Sequence, residues 1–267
     1  MALALGAGPF GPQRAGTFNF DTSVLQPHTL YFEDSPKRVR AELGGETVVD
    51  SRRVMILHET GHLPVYYFPH EDARMDLLQP TEHTTHCPFK GDAAYWTVRA
   101  GDKVAENAVW GYPTPIDSAP PIAGYLAFYA DRMDAWYEED ERTIGHPHDP
   151  YHRVDVLQSS RHVRVTLDGT VLAESNRPKM LFETSLPPRY YLPFEDVRSD
   201  ALSLSETKTT CPYKGIASYW SVAVDGRTVE DAVWGYPEPL PEAITIAGHF
   251  CFYDDKVQVE VDGERLG

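Results

Sequence analysis

Cys87-Pro88-Phe89-Lys90-Gly91 sets a thiol three residues from an ammonium, and Cys211-Pro212-Tyr213-Lys214-Gly215 repeats the arrangement. A cation near a cysteine favours its thiolate, which is the nucleophilic form. Glu59-Thr60 recurs as Glu183-Thr184, and a carboxylate present in both places suits general acid–base work or ligand anchoring. These residues nominate Cys87, Glu59, Lys90 and His58 as a catalytic set. Arg53, Tyr66, Trp96 and Trp110, with Arg177, Glu183, Tyr190, Cys211, Lys214 and Trp220, would form a ligand-binding frame in which aromatic walls surround a few polar groups. Each assignment has a plainer counterpart. A cysteine is a small apolar residue that packs well. Glu59 and Glu183 are equally suited to capping a turn. Arg53 and Arg177 could pair with Asp72 and Asp196, or hold a carboxylate or phosphate.

Histidine divides the chain unevenly. His58, His62, His70, His83 and His86 correspond to Phe182, Leu186, Phe194, Thr207 and Thr210. A cluster of them near Cys87 would bind a transition metal or run acid–base chemistry. His58-Glu59-Thr60-Gly61-His62 matches the H-E-x-x-H letters of zinc proteases. That motif needs a helix to put both rings on one face, and Gly61 and Pro64 rule one out here. His146, His148 and His152 read as a solvated loop. No metal or other cofactor is assigned, since three cysteines cannot supply a four-thiolate zinc site.

The elements that would position these groups occur twice. Lys90 and Lys214 lie 124 residues apart, as do Tyr66 and Tyr190, Trp110 and Trp234, and Tyr129 and Tyr253. The offset holds without a gap from about Arg38 to Gln258. Val39, Ala41 and Leu43 alternate with Arg40 and Glu42, the period of a strand with one buried face. Gly44-Gly45, matched by Asp168-Gly169, suits a two-residue hairpin turn with positive φ. Further strands are expected at 47–49, 54–57, 65–68, 95–99, 108–112, 125–129 and 133–137, with one short helical turn in 72–78. No helical stripe of useful length occurs. The chain is therefore expected to be all-β: two tandem domains of short antiparallel strands, related by a pseudo-two-fold as an internal dimer. The expected boundaries are an extension at 1–37, a first domain at 38–137, a linker at 138–160 and a second domain at 161–267. The Gly- and Pro-rich stretch 6–16 reads as mobile.

A net charge of −16 argues against nucleic acid or anionic membrane as a partner, because both select clustered Lys and Arg. No apolar run reaches the ~20 residues of a membrane span. The N-terminus lacks the charged segment of a secretory signal, and three cysteines give no disulfide framework. A cytoplasmic location is expected, and homo-oligomerisation is compatible with it.

Together, 48–53 (Val-Val-Asp-Ser-Arg-Arg), Glu59-Thr60, Pro64 to Pro69, Cys87 to Gly91, Tyr95-Trp96 and the Ile122-Ala123-Gly124-Tyr125 ending resemble the bacterial and fungal domain of unknown function numbered 427, also catalogued as nucleotidyltransferase-like. The resemblance spans nearly all of the chain after the extension, in tandem form. It implies a β-tent-like fold, similar to methionine-R-sulfoxide reductases and yippee-type zinc domains, and carries no established activity. The nucleotidyltransferase name finds no counterpart, since no phosphate-cradling glycine loop with paired acidic ligands is present. Where zinc β-tents use Cys-x-x-Cys, this chain has Cys-x-x-Lys. Three readings follow: a small-molecule enzyme or ligand-binding protein with its pocket at the Cys-Pro-Phe-Lys-Gly block, a non-catalytic scaffold, or a metal protein using the first copy's histidines.

Overall fold

The computed structural model describes residues 28–266, together with residues 6, 8, 13 and 16–21. Most of the 6–16 stretch expected to be mobile lies outside the described residues. The chain divides into two units, Met1–Tyr151 and His152–Gly267, each taken here by itself.

The first unit contains eleven strands: β1 Leu30–Asp34, β2 Val39–Leu43, β3 Glu46–Ser51, β4 Met55–Glu59, β5 Val65–Pro69, β6 Leu78–Cys87, β7 Gly91–Ala100, β8 Lys103–Gly111, β9 Tyr125–Phe128, β10 Ala135–Glu138 and β11 Glu141–Thr143. They form a seven-stranded sheet ordered β1-β4-β5-β9-β8-β7-β6 and a four-stranded sheet ordered β11-β10-β2-β3. All of the pairings are antiparallel. The helical turn expected in 72–78 is realised as single 3-10 turns at His70–Asp72 and Met75–Leu77.

The second unit repeats the plan with β12 Val154–Gln158, β13 Val163–Leu167, β14 Thr170–Ser175, β15 Lys179–Glu183, β16 Arg189–Pro193, β17 Leu202–Cys211, β18 Gly215–Val224, β19 Arg227–Gly235, β20 His249–Phe252, β21 Gln258–Val261 and β22 Glu264–Arg265. Its sheets run β12-β15-β16-β20-β19-β18-β17 and β14-β13-β21-β22, the same order strand for strand. The expectation of tandem all-β domains is met.

Period-two alternation explains the layers. Val39, Ala41 and Leu43 of β2 face Val98, Ala108, Val109, Leu126 and Phe128 of the large sheet across one apolar core. The other face of the large sheet carries a second cluster, in which Leu57, Tyr67, Tyr95, Tyr112, Ile122 and Ala127 pack together. Adjacent residues therefore part company: Tyr66 and Phe68 enter the core between the sheets, and Tyr67 enters the second cluster.

Five strands escape the sequence pattern. β6 and its counterpart β17 are exposed along most of their length, so they carry no apolar alternation. β1 lies in the stretch read as an extension and pairs with β4 from Leu30 opposite Glu59 to Asp34 opposite Met55. The stretch 138–160, read as a loop, supplies β11 and β12, and β12 pairs with β15 as β1 does with β4.

The Gly44-Gly45 turn closes β2 onto β3 with φ of +58° and +80°. A Cβ on Gly44 would stand 2.0 Å from the carbonyl oxygen of Ala100, whereas one on Gly45 would meet open space. Gly44→Ala should therefore lower unfolding free energy by more than about 2 kcal/mol, and Gly45→Ala by about 1 kcal/mol. Urea denaturation of both variants checks the ranking.

Candidate functional site

The Cys-Pro-Phe-Lys-Gly block is the tip of the β6–β7 hairpin. Cys87 pairs with Gly91, and the Lys90 N–H donates to the Cys87 carbonyl at 3.2 Å. Gly91 turns the chain at φ +101°, a conformation that residues with a Cβ rarely adopt. This geometry sends Phe89 outward and Lys90 inward. Lys90 is only 7 % exposed. A buried ammonium must be paired, and Lys90 donates to Glu59 Oε2 at the end of β4. The other carboxylate oxygen, Oε1, lies 2.9 Å from Nε2 of His28. The ionised carboxylate has no proton to give, so Nε2 is the donor. The His28 ring stacks on Phe89 with centroids 3.7 Å apart and planes within 9°. The Thr29 N–H donates to Thr60 Oγ1 at 3.0 Å and fastens this segment beside β4.

Thus residues 28, 59 and 90, spaced by 31 and 31, form one triad. The second unit builds the same triad from His152, Glu183 and Lys214, with Nε2 of His152 3.1 Å from Glu183 Oε1 and its ring stacked on Tyr213 at 4.0 Å. Burial pushes both glutamates up. In the first unit Lys90 and His28 outweigh that push, and in the second His152 and Lys214 do, so both carboxyls stay below the usual range.

In the first unit the triad lies at a cleft of about 790 Å³ whose lining includes Glu59, Lys90, Cys87, Tyr67, Trp110 and Tyr112. Burial raises the Tyr67 and Tyr112 hydroxyls above their ordinary value, so they remain donors at any physiological pH. Lys90 Nζ is 5.9 Å from the Tyr112 ring centroid. Tyr95 is hydrogen-bonded to Thr85 at 2.8 Å, and Tyr129 lies against Trp110 with ring centroids at 4.5 Å. His146 and Pro147 close one side. Their segment is held by Glu138, which accepts from Tyr66 Oη at 2.8 Å and meets His148 Nδ1 at 3.1 Å. Burial pushes Glu138 up, but His148 and Lys37 bring it down to about 2.

The family described as "Domain of unknown function (DUF427)" matches the chain twice, over residues 31–139 and 155–263. The chain belongs to the DUF427 family. No curated protein matches it. The DUF427 matches take in nearly all of β1 and β12, which precede the domain limits read from the repeat.

In this DUF427 pair the residues nominated from sequence separate into groups. Glu59, Lys90, Cys87, Tyr66 and Trp110 meet at the cleft. His58 does not: neighbouring residues of a strand face opposite ways, and its ring bonds Glu33 at 3.0 Å beside Tyr31 and Tyr151. Arg53 is exposed and pairs with Glu71 and Asp72, and Arg177 pairs with Asp196. These are surface ion pairs remote from the triads. Trp96 lines a separate groove of about 350 Å³ with His70 and Pro113, and Trp220 lines its counterpart of about 160 Å³. Glu183, Lys214 and the half-buried Cys211 occupy the second unit's equivalent positions. Tyr190 packs at the edge of that unit's inter-sheet core.

Of the first-copy histidines, His62 and His86 line the cleft with Cys87, and His58, His70 and His83 lie outside its lining. His62 approaches His28 at 6.5 Å between centroids, His70 lies on Trp96, His83 on Tyr95, and His86 bonds Asp92. Among the described residues no group of three His, Cys, Asp or Glu is placed to hold a metal ion, and no helix is long and apolar enough to cross a membrane.

The residues that sequence reasoning missed are His28 and His152. The repeat was traced only from Arg38, yet the 124-residue offset already relates His28 to His152, and carrying it ten residues further back would have found them. The solvated-loop reading fails for His152, whose side chain is fully buried.

Removing one member of a buried ion pair strands the other. Lys90→Met should cost about 3 kcal/mol, and adding Glu59→Leu should recover much of that loss. A double-mutant cycle in urea measures the coupling. The depressed carboxyls also fix a pH response. Each favours the folded state only when ionised, so its contribution is complete above the unfolded value of 4.5 and is lost as pH falls, reaching about 2 for Glu138. Melting temperature should therefore drop steadily on acidification below 4.5, and Glu138→Gln should flatten the lower part of that curve.

Proposed function

We propose that the first DUF427 copy is a small-molecule site, in which the cleft beside the His28–Glu59–Lys90 triad binds, and through acid–base chemistry acts on, a compound with a planar or apolar body and one carbonyl or carboxylate end. The observation that carries this reading is the meeting of a buried ammonium with aromatic walls in a cleft of about 790 Å³. Such a volume falls within the range of ligand pockets, and a few polar groups in an aromatic frame give orientation.

The chemistry follows from the hydrogen-bond inventory. Lys90 has three N–H donors, one of which goes to Glu59. The others are available to a ligand oxygen, with the Tyr67 and Tyr112 hydroxyls lining the same cleft. Glu59, bonded on both oxygens, holds the ammonium in place and links it to His28 as a route for proton exchange. Cys87 supplies a thiol at the same wall, which a covalent step could use. Trp110 and Tyr129 present ring faces for the ligand body. The scaffold alternative would require the cleft to be idle.

Thermal shift with benzoate, 4-hydroxybenzoate and indole-3-acetate tests the reading, with phenol and indole as controls lacking the carboxylate. The acids should raise the melting temperature more than the controls. Trp110→Ala and Lys90→Met should remove the shift, while Cys87→Ala should keep it. If no acid shifts the melt, or if Trp110→Ala leaves the shift intact, the cleft is not the binding site.

A further inference from the structure

The second unit carries the first unit's triad, thiol and aromatic wall at the same offset, as His152, Glu183, Lys214, Cys211, Tyr191, Tyr219, Trp234 and Tyr236, whereas His62, His86 and Trp136 of the first cleft become Leu186, Thr210 and Glu260. The Trp234 Nε1–H donates to Tyr191 Oη at 3.1 Å, as Trp110 does to Tyr67. The mouth differs as well. Val65 and Ala130 line the first cleft. Their counterparts are Arg189 and Asp254, which meet at 3.0 Å. The Arg189 guanidinium lies 5.6 Å from the Trp234 ring centroid, so the pair lies over the counterpart of Trp110, which lines the first cleft. Trp234 is 7 % exposed where Trp110 is half-buried, and the His152 side chain is fully buried where that of His28 is 18 % exposed.

We infer that the second copy keeps the triad, thiol and aromatic wall of the first copy's site beneath a seal formed by the Arg189–Asp254 pair, and that the chain therefore binds one ligand molecule rather than two. This rests on the small-molecule reading of the first cleft. A guanidinium stacked on an indole and bidentate-capable toward a carboxylate is well suited to the seal, because it satisfies its charge while covering an apolar surface. The same aspartate and arginine would serve no such purpose in the first copy, where the two positions are apolar and the mouth is open. The seal also leaves the triad's structural role in the second unit intact: Lys214 and Glu183 keep each other paired whether or not a ligand can enter.

Reciprocal exchange of the pair tests this. The variants are Arg189→Val with Asp254→Ala, and Val65→Arg with Ala130→Asp, each checked for folding by circular dichroism. Hydroxyl-radical footprinting, read by mass spectrometry, reports on the seal without any ligand. In the unaltered protein Trp110 should oxidise several-fold faster than Trp234. The first variant should bring Trp234 up to the rate of Trp110, and the second should bring Trp110 down. Calorimetric titration with 4-hydroxybenzoate should then give one molecule per chain for the unaltered protein, two for the first variant and none for the second. A folded first variant whose Trp234 stays protected overturns the seal, as does an unaltered protein that binds two. If Trp234 becomes reactive and 4-hydroxybenzoate binds neither copy, the seal stands and the small-molecule reading is what fails.

Discussion

Lys90 is the constraint around which each part of the first site is arranged. An ammonium enclosed by protein must find an anion, and the hairpin that carries Lys90 points it at the end of β4, where Glu59 stands. Glu59 in turn has a second oxygen to satisfy, which draws in His28 and with it the segment that becomes β1. The seven-stranded sheet is thus tied at both ends: β6 and β7 through the hairpin tip, β1 and β4 through the carboxylate. The repetition of the same three contacts by His152, Glu183 and Lys214 marks the triad as part of how this domain closes its sheet.

That closure leaves a polar cluster at the margin of an aromatic one. The large sheet uses its inner face for packing against the small sheet and its outer face for Tyr67, Tyr95, Trp110 and Tyr112. A surface built mainly of tyrosine and tryptophan has apolar area together with hydroxyl and indole donors. In the first unit, part of this surface is open. Structural pairing and ligand recognition are compatible there, because an ammonium needs only one of its three donors for Glu59.

Duplication gives an internal comparison that a single domain lacks. Strand order, turn positions and triad spacing agree between the halves, so the features that agree belong to the fold. Among the features that differ at the cleft are Val65 against Arg189, Ala130 against Asp254, His62 against Leu186 and His86 against Thr210. Small side chains line the first cleft at these positions, and in the second unit an ion pair stands there with its guanidinium over Trp234.

Much of the architecture was legible in the chain. A constant offset of 124 residues, alternation of apolar residues and glycines at tight turns depend only on local rules, and they gave two all-β domains with the hairpin at Gly44-Gly45 in place. Strands β6 and β17 were illegible because edge strands exposed on both faces carry no pattern. The site was legible in part: Glu59, Lys90 and Cys87 were found from their types and their repetition. Their partners were not, since His28 reaches Glu59 across 31 residues through the pairing of β1 with β4, and no local rule encodes a contact between strands. His58 stands apart from Glu59 for the converse reason, as the strand pleat turns it away from its neighbour. The sequence by itself determined which residues are shared. Which of them face one another, and which copy is open, was decided only by the packing of strands that lie far apart in the chain.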